Sequence, residues 1–479
     1  MSGYETVIGL EVHIQLLTRS KLFCADATEF GAEPNTQVSV ISLAHPGTLP
    51  LLNAAAVDMA IKLGIALDCH IAEKSHFDRK HYFYPDLPKG YQTSQLIDPV
   101  LQGGSLMIQT SAGPKQISIH HVHLEEDAGK SIHDLDPDNS KIDLNRAGMP
   151  LLELVTEPVM SSGEEAHLFL TQLRKLVRWI GICDGNMEEG SLRCDANISV
   201  RPVGEKKLGT KVEIKNLNSI RNVKRAIEGE AERQIGLLNS GGKVEQETRG
   251  YDAETYTTSI QREKEDANDY RYFPCPDLPP FTISAERIER LSAALPELPD
   301  ALSKRLQLEF DLGAQDAALI TEERELAHFY LRILKAGAPP KPAANWLQGP
   351  VKNWLNNEQT AIQDFPVSPE RLAELIGLVQ SGQVSFSMAA QRILPEMAKD
   401  KESSSVEIAE KAGIIQQSDD GALRQWAEAV LQKMPDKVQA YRKGKKGLLG
   451  LFVAEVKKIS KGKADPKKTT TILEEILNA

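Results

Sequence analysis

The amino-acid sequence predicts an α+β fold: a mixed or antiparallel sheet in the first part, then an all-α helical domain, then a small α-helical tail domain. Three observations carry this. Up to about residue 290, short runs of alternating polar and apolar residues are separated by Gly, Pro and Asn/Asp, the pattern of strands joined by turns. From Ala285 onward, apolar residues recur at three- and four-residue spacing almost to the end, the period of helices. The polar stretch "AKDKESSS", residues 398–405, has no apolar anchor and reads as a flexible junction. At 479 residues the chain is too long for one core, and divisions are expected at 1–292, 293–400 and 401–479.

The elements follow in order. In "TVIGLEVHIQL", Ile8, Leu10, Val12, Ile14 and Leu16 fall on one side, and Gly9, Glu11, His13 and Gln15 on the other, a strand with one face in a core. "FDRKHYFYPDLPKGYQTSQ", Phe77 to Gln95, combines five aromatics, three Lys/Arg and a Pro–Asp–Leu–Pro turn; it reads as a pocket-lining loop or a packed Ω-loop. "HHVHLEEDAGK" carries His121, His123, Glu125, Glu126 and Asp127, and "NRAGMPLLELVTEP" carries Glu153 and Glu157 within an apolar run. The helix in "SSGEEAHLFLTQLRKLVRWIGI" opens with Ser162 and Glu165 in capping-box spacing. In "SLRCDANISVR", Arg193, Asp195, Asn197 and Arg201 share a face, as do Lys211, Glu213 and Lys215 in "TKVEIKNLNS". A second helix runs from Ser219 to Gly241–Gly242. The prolines of "YRYFPCPDLPPF" interrupt regular structure, and amphipathic helices such as "ELAHFYLRILKAG" and "SPERLAELIGLVQSG" follow.

Several strands thus carry acids beside Arg, Lys or His on one face. Carboxylates with an imidazole suit Mg²⁺, which prefers oxygen donors, and nearby Lys and Arg suit phosphate oxygens. The same residues also fit a solvated face or a salt-bridge network. No G-x-x-x-x-G-K-[ST] occurs, no Rossmann glycine pattern follows a strand, and there is no H-E-x-x-H, so a nucleotide would have to bind on the sheet itself. Five scattered cysteines without a C-x-x-C pair fit a reducing compartment and not a thiolate zinc site. The opening residues lack a signal-peptide pattern, and "GLLGLFVAEV" is too short to span a bilayer; a cytoplasmic protein with no membrane contact is expected. Net charge is −11, yet Lys433–Lys468 holds twelve Lys/Arg against three Asp/Glu, a local +9. Such asymmetry suggests a polyanion contact at one end, or a solvated helical surface.

With these motifs in view, the chain resembles the B-subunit family of the heterotrimeric aspartyl/glutamyl-tRNA amidotransferases. The resemblance rests on "ETVIGLEVHIQL", "EFGAEPNT", "FDRKHYFYPDLPKGYQTSQ", "HLEEDAGKS", "MEEGSLRCDANISVR", "EIKNLNS" and "DYRYFPCPDLPP", in family order up to about residue 280. "ANWL" and "GKKGLLGLFVAEVKKISKGKADP" look like the family's helical and tail modules. The resemblance implies a cradle similar to glutamine synthetase. It also implies ATP- and Mg²⁺-dependent phosphorylation of the side-chain carboxylate of Asp-tRNA(Asn) or Glu-tRNA(Gln). Ammonia, released from glutamine by an A subunit and passed through a channel, then forms the amide; a C subunit completes the heterotrimer.

By resemblance the metal-facing set is Glu11, His13, Glu126 and Glu153. Regular alternation would favour Glu125 over Glu126, so both are kept. Arg193 and Asp195 are candidates for phosphate and ammonia-side contacts, Lys211 and Lys215 for phosphate. Lys80, Tyr82 and Lys89 look like channel-mouth residues, and Glu126 or Asp195 is the candidate proton acceptor. In the basic tail, Arg442, Lys443, Lys445, Lys446, Lys457 and Lys458 are the candidate tRNA contacts. Some family members bind zinc around "EFGAEPNT"; here only Cys24 remains there, and no zinc site is expected. Two rivals remain: a free-standing ligase joining ammonia to a small-molecule carboxylate, and a non-catalytic RNA-binding scaffold.

Overall fold

The alternation of the opening stretch becomes a twelve-residue strand, Tyr4–Gln15, at the centre of a ten-stranded sheet. It pairs antiparallel with Pro150–Thr156 on one side and with Leu192–Pro202 on the other. Beyond Pro150–Thr156 lies the long strand Gly113–Glu126. Beyond Leu192–Pro202 lies Val212–Leu217, which pairs parallel with Glu247–Asp252. That one parallel pair makes the sheet mixed. The computed structural model describes residues 3–133, 136, 138–263, 269–415, 420–460 and 464–478, and the chain divides into two compact units, Met1–Leu298 and Pro299–Ala479.

In the first unit the apolar face of the sheet is the core. Ile8, Leu10, Val12 and Ile14 are buried together with Leu152, Leu154, Ala196 and Ile198. Helices Gly163–Trp179 and Ile220–Asn239 cover this face. Both start where expected: the Ser162 and Ser219 hydroxyls accept from the amides of Glu165 and Asn222. The reciprocal half of the Ser162 capping box is shifted, because the Glu165 carboxylate accepts from the Ser161 amide at 2.7 Å and pairs with Lys115. A small three-stranded sheet, Phe273–Pro274, Asp78–His81 and Tyr91–Ser94, borders the long strand Gly113–Glu126.

The second unit is helical. Its sequence pattern runs through "ANWLQGPVKNWLNN", yet the helix widens to a π-turn at Leu347–Val351 before resuming as Lys352–Glu358. Pro350 lies inside that turn; it supplies no N–H and cannot take the α-helical ladder bond, so the chain bulges there. The polar junction at 398–405 corrects the expectation of a loose connector. Asp400 accepts from the amides of Glu402 and Ser403, and the Arg371 guanidinium donates to the carbonyls of Met397, Asp400 and Ser403 at 3.1, 2.7 and 2.6 Å. Polar composition here serves a fixed turn. Residues 420–460 and 464–478 pack around Leu423, Val430, Tyr441, Phe452, Val456 and Leu473. No helix among the described residues is long and apolar enough to cross a membrane.

Candidate metal centre

Strand register brings the polar-face residues together. His13 lies opposite Glu153 on one side and Arg193 on the other, and Glu153 in turn lies opposite His123. Glu125, two residues along from His123, shares that face. His13 Nε2 stands 3.1 Å from Glu153 Oε2 and 3.4 Å from Glu125 Oε1; His123 Nε2 stands 3.4 Å from Glu125 Oε2. Ligating atoms of His13, Glu125 and Glu153 all lie within 4.8 Å of one another.

The electrostatics follow from burial. Glu125 is only 3% exposed. Burial works against its charge, but hydrogen bonds from His123 and His13 hold its carboxyl well below the usual range. Burial likewise works against Glu153, yet its hydrogen bond with His13 holds it low. For His13 burial opposes protonation, and the bonds to Glu125 and Glu153 overcome it, raising the imidazole to about 10. His121, half-buried and facing His123 and His120, is pushed down to about 4, by burial first and then by its neighbours. The buried Glu125 and the partly buried Glu153 therefore rest on imidazoles, with no Lys or Arg among the described residues within ion-pair distance of either. An oxygen-rich set with one imidazole, its negative charge otherwise balanced only by protons, fits Mg²⁺.

One row along the sheet sits a second acidic group. Glu11 lies opposite Asp195, and Asn197 opposite Glu213; ligating atoms of Glu11, Asp195 and Glu213 fall within 4.8 Å of one another. Asn197 Nδ2 donates to Glu11 Oε1 at 3.0 Å, while Lys215 Nζ bridges Asp195 at 2.9 Å and Glu213 at 3.3 Å. Burial, followed by the charge of Glu153, pushes Glu11 upward. Burial disfavours the Lys215 ammonium, but its two acids raise it. Lys211 is exposed just before the strand and is not brought into this group.

Glu126 goes elsewhere. The strand stays regular from His121 to Glu126, so the adjacent carboxylates point to opposite sides. Glu126 pairs with Lys89 and accepts from the Thr93 amide at 2.9 Å, in a cavity of about 280 Å³ that Cys24, Asp127 and Gly148 also line. Lys80 and Tyr82 line a different cavity, of about 580 Å³. Asp127, which the motifs displayed without a role, receives Arg193 Nη2 at 2.7 Å and Arg146 Nε at 3.4 Å. His123 was displayed in the same way; its sequence signal is its place two residues from Glu125.

The tail residues divide. Arg442 Nε donates to the Leu477 carbonyl at 3.3 Å, and Lys446 Nζ donates to Asn478 Oδ1 at 3.2 Å while lying 4.2 Å over the Tyr441 ring. Lys443, Lys445, Lys457 and Lys458 are exposed. Residues 461–463, within the +9 segment, lie outside the described residues.

Fold and polar face define a class: a mixed-sheet protein that gathers carboxylates, imidazole and lysine on one face of its sheet. A family model described as "GatB/GatE catalytic domain" matches residues 6–289, and one described as "GatB domain" matches 328–477. The chain belongs to this family. It is 47% identical over 475 residues to the B subunit of the aspartyl/glutamyl-tRNA(Asn/Gln) amidotransferase of Thermodesulfovibrio yellowstonii, covering 99% of each chain. It is 48% identical over 478 residues to the protein of the same name from Geotalea uraniireducens, again over 99% of each.

Proposed function

We propose that this chain is the component of a tRNA-dependent amidotransferase that activates the side-chain carboxylate of Asp-tRNA(Asn) or Glu-tRNA(Gln) with ATP, by way of an acyl phosphate, for amidation in translation. The observation that carries this reading is the convergence of His13, Glu125 and Glu153 beside a second group of Glu11, Asp195, Glu213 and Lys215. Support comes from full-length relatives of that name, which favour neither a free-standing ligase nor an RNA scaffold. His13, Glu125 and Glu153 would hold Mg²⁺, and when bound the ion supplies positive charge between two mutually repelling anions, triphosphate and carboxylate.

The chain's own residues supply the remainder. Lys215 and Arg193 present cations to phosphate oxygens at the edge of the metal group. Asp127 orients Arg193 through their 2.7 Å contact. On the other side of the strand, Glu126 and Lys89 line the cavity we assign to incoming ammonia, with Glu126 as proton acceptor; Lys80 and Tyr82 line the neighbouring cavity. A glutaminase A subunit and a C subunit complete the enzyme, which acts in the cytoplasm without zinc. The helical half comprises 293–400 and a tail, 401–479, whose own apolar core supports treating it as a module; its exposed lysines contact the outer body of tRNA. ATP hydrolysis stimulated by Glu-tRNA(Gln) or Asp-tRNA(Asn), measured with co-expressed A and C subunits, tests the reading. His13→Ala should abolish the stimulation while tRNA binding persists, and stimulation that survives His13→Ala overturns it.

A further inference from the structure

Lys21 is 0% exposed, the only buried lysine among the described residues. Its Nζ donates to the Leu144 carbonyl at 3.2 Å and makes no ion pair among the described residues. Burial pushes its ammonium below the usual range, against the pull of Asp26, Cys24, Asp143 and Glu126. Taking a cation out of water without a counter-ion destabilises a fold, and an apolar side chain of similar volume would fill the same space without that cost. Packing alone does not account for a lysine here.

What Lys21 holds points to its use. The Leu144 carbonyl opens a turn and also accepts from the Ala147 amide at 3.1 Å, so both of its lone pairs are taken. This turn, Leu144–Met149, clasps the end of the strand Gly113–Glu126. The Gly148 amide donates to the Asp127 carbonyl, and the Asp127 amide to the Met149 carbonyl, each at 2.9 Å. Arg146 donates to the carbonyls of Ala128 and Gly129 at 3.1 and 2.8 Å. Gly148, at φ +85°, stands between the two acting groups: a Cβ added there would lie 3.5 Å from Lys21 Cδ and 4.0 Å from Glu126 Oε2. Gly148 and Glu126 line the 280 Å³ cavity, and Lys21 stands behind its wall.

We propose that Lys21 is a positioning residue for the amidation step: by anchoring the Leu144–Met149 turn, it holds Glu126 in place against the cavity assigned to incoming ammonia. It acts through Gly148 and the Glu126–Asp127 backbone rather than by touching substrate. The inference rests on the reading of that cavity given above and adds the group that fixes its wall.

The test uses the complex with its A and C subunits. Lys21→Met keeps the packed stem while removing donor and charge. Hydrogen exchange at the amides of Asp127, Gly148 and Met149, followed by mass spectrometry, should quicken about tenfold; unchanged exchange overturns the inference. With an ammonium salt as nitrogen source at about pH 7, kcat for amidation should fall about tenfold, with KM for the misacylated tRNA within about twofold of the parent. Raising the pH to about 8.5 increases the share present as free ammonia, which needs no proton acceptor. The deficit relative to the parent should then shrink to less than about threefold. An equal deficit at both pH values overturns the inference, because a merely loosened fold does not distinguish ammonia from ammonium. Lys21→Gln is one bond too short to reach the carbonyl; it should show the same pair of changes, and it stands in where the methionine variant does not assemble. Exchange is read without turnover, so it decides by itself whether Lys21 holds the turn. An unaltered complex that amidates no misacylated tRNA counts against the reaction proposed above and not against this anchor.

Discussion

Glu125 and Glu126 are neighbours in the chain, 3% and 4% exposed, and serve opposite sides of one strand. Each should therefore fail differently when neutralised. Glu125→Gln should weaken Mn²⁺ binding, followed by electron paramagnetic resonance, by more than about tenfold, whereas Glu126→Gln should leave it near the parent value. Equal losses in the two variants would contradict the placement. His13 gives a pH prediction. Its folded-state value, about 10, lies above the ordinary 6.5, so its contribution to stability is complete below pH 6.5 and is lost as pH rises toward 10. In chelator, thermal unfolding followed by circular dichroism should show the parent losing more between pH 7 and 10 than His13→Asn. Much of this was legible beforehand: period-two alternation places Glu11 and His13 on one face and favours Glu125. Alternation alone could not show that His123 joins them or that Arg193 meets Asp127 across 66 positions of chain, because register between distant strands has no local signature.

Among the elements, the two covering helices were readable from caps and apolar spacing, since both signals act within a few residues. The π-turn at Leu347–Val351 was not, although Pro350 was in plain sight: whether a proline ends a helix or widens it depends on the packing around it. The turn at 398–405 misled for a related reason. Its hydrogen-bond partner, Arg371, belongs to the helix Pro369–Gln380, nearly thirty residues earlier. Arg371→Ala removes charge-assisted bonds to three carbonyls and should lower stability by about 2–4 kcal/mol in urea unfolding. Limited proteolysis should then cut near residues 400–404, where the parent resists; equal resistance would show that the turn holds without the guanidinium.

For the whole molecule, a net charge of −11 concealed a +9 segment, and structure divides that segment's cations by what they touch. Arg442 and Lys446 bond to the last turn of the helix Pro466–Asn478, whereas Lys443, Lys445, Lys457 and Lys458 face solvent. Replacing those four with Ser should flatten the dependence of log Kd for tRNA on log salt, by about 0.7–0.9 for every phosphate no longer neutralised. Replacing Arg442 should instead loosen the tail's packing, read as a lower unfolding temperature, with the salt slope kept. Chain order in the sheet has its own consequence. The central strand, Tyr4–Gln15, is synthesised before its partner Leu192–Pro202, which emerges about 180 residues later, a wait of roughly 10–40 s at ordinary synthesis rates. Throughout that interval one edge of the strand Tyr4–Gln15 lacks its partner, so the growing chain must keep that edge from pairing with other strands until Leu192–Pro202 arrives.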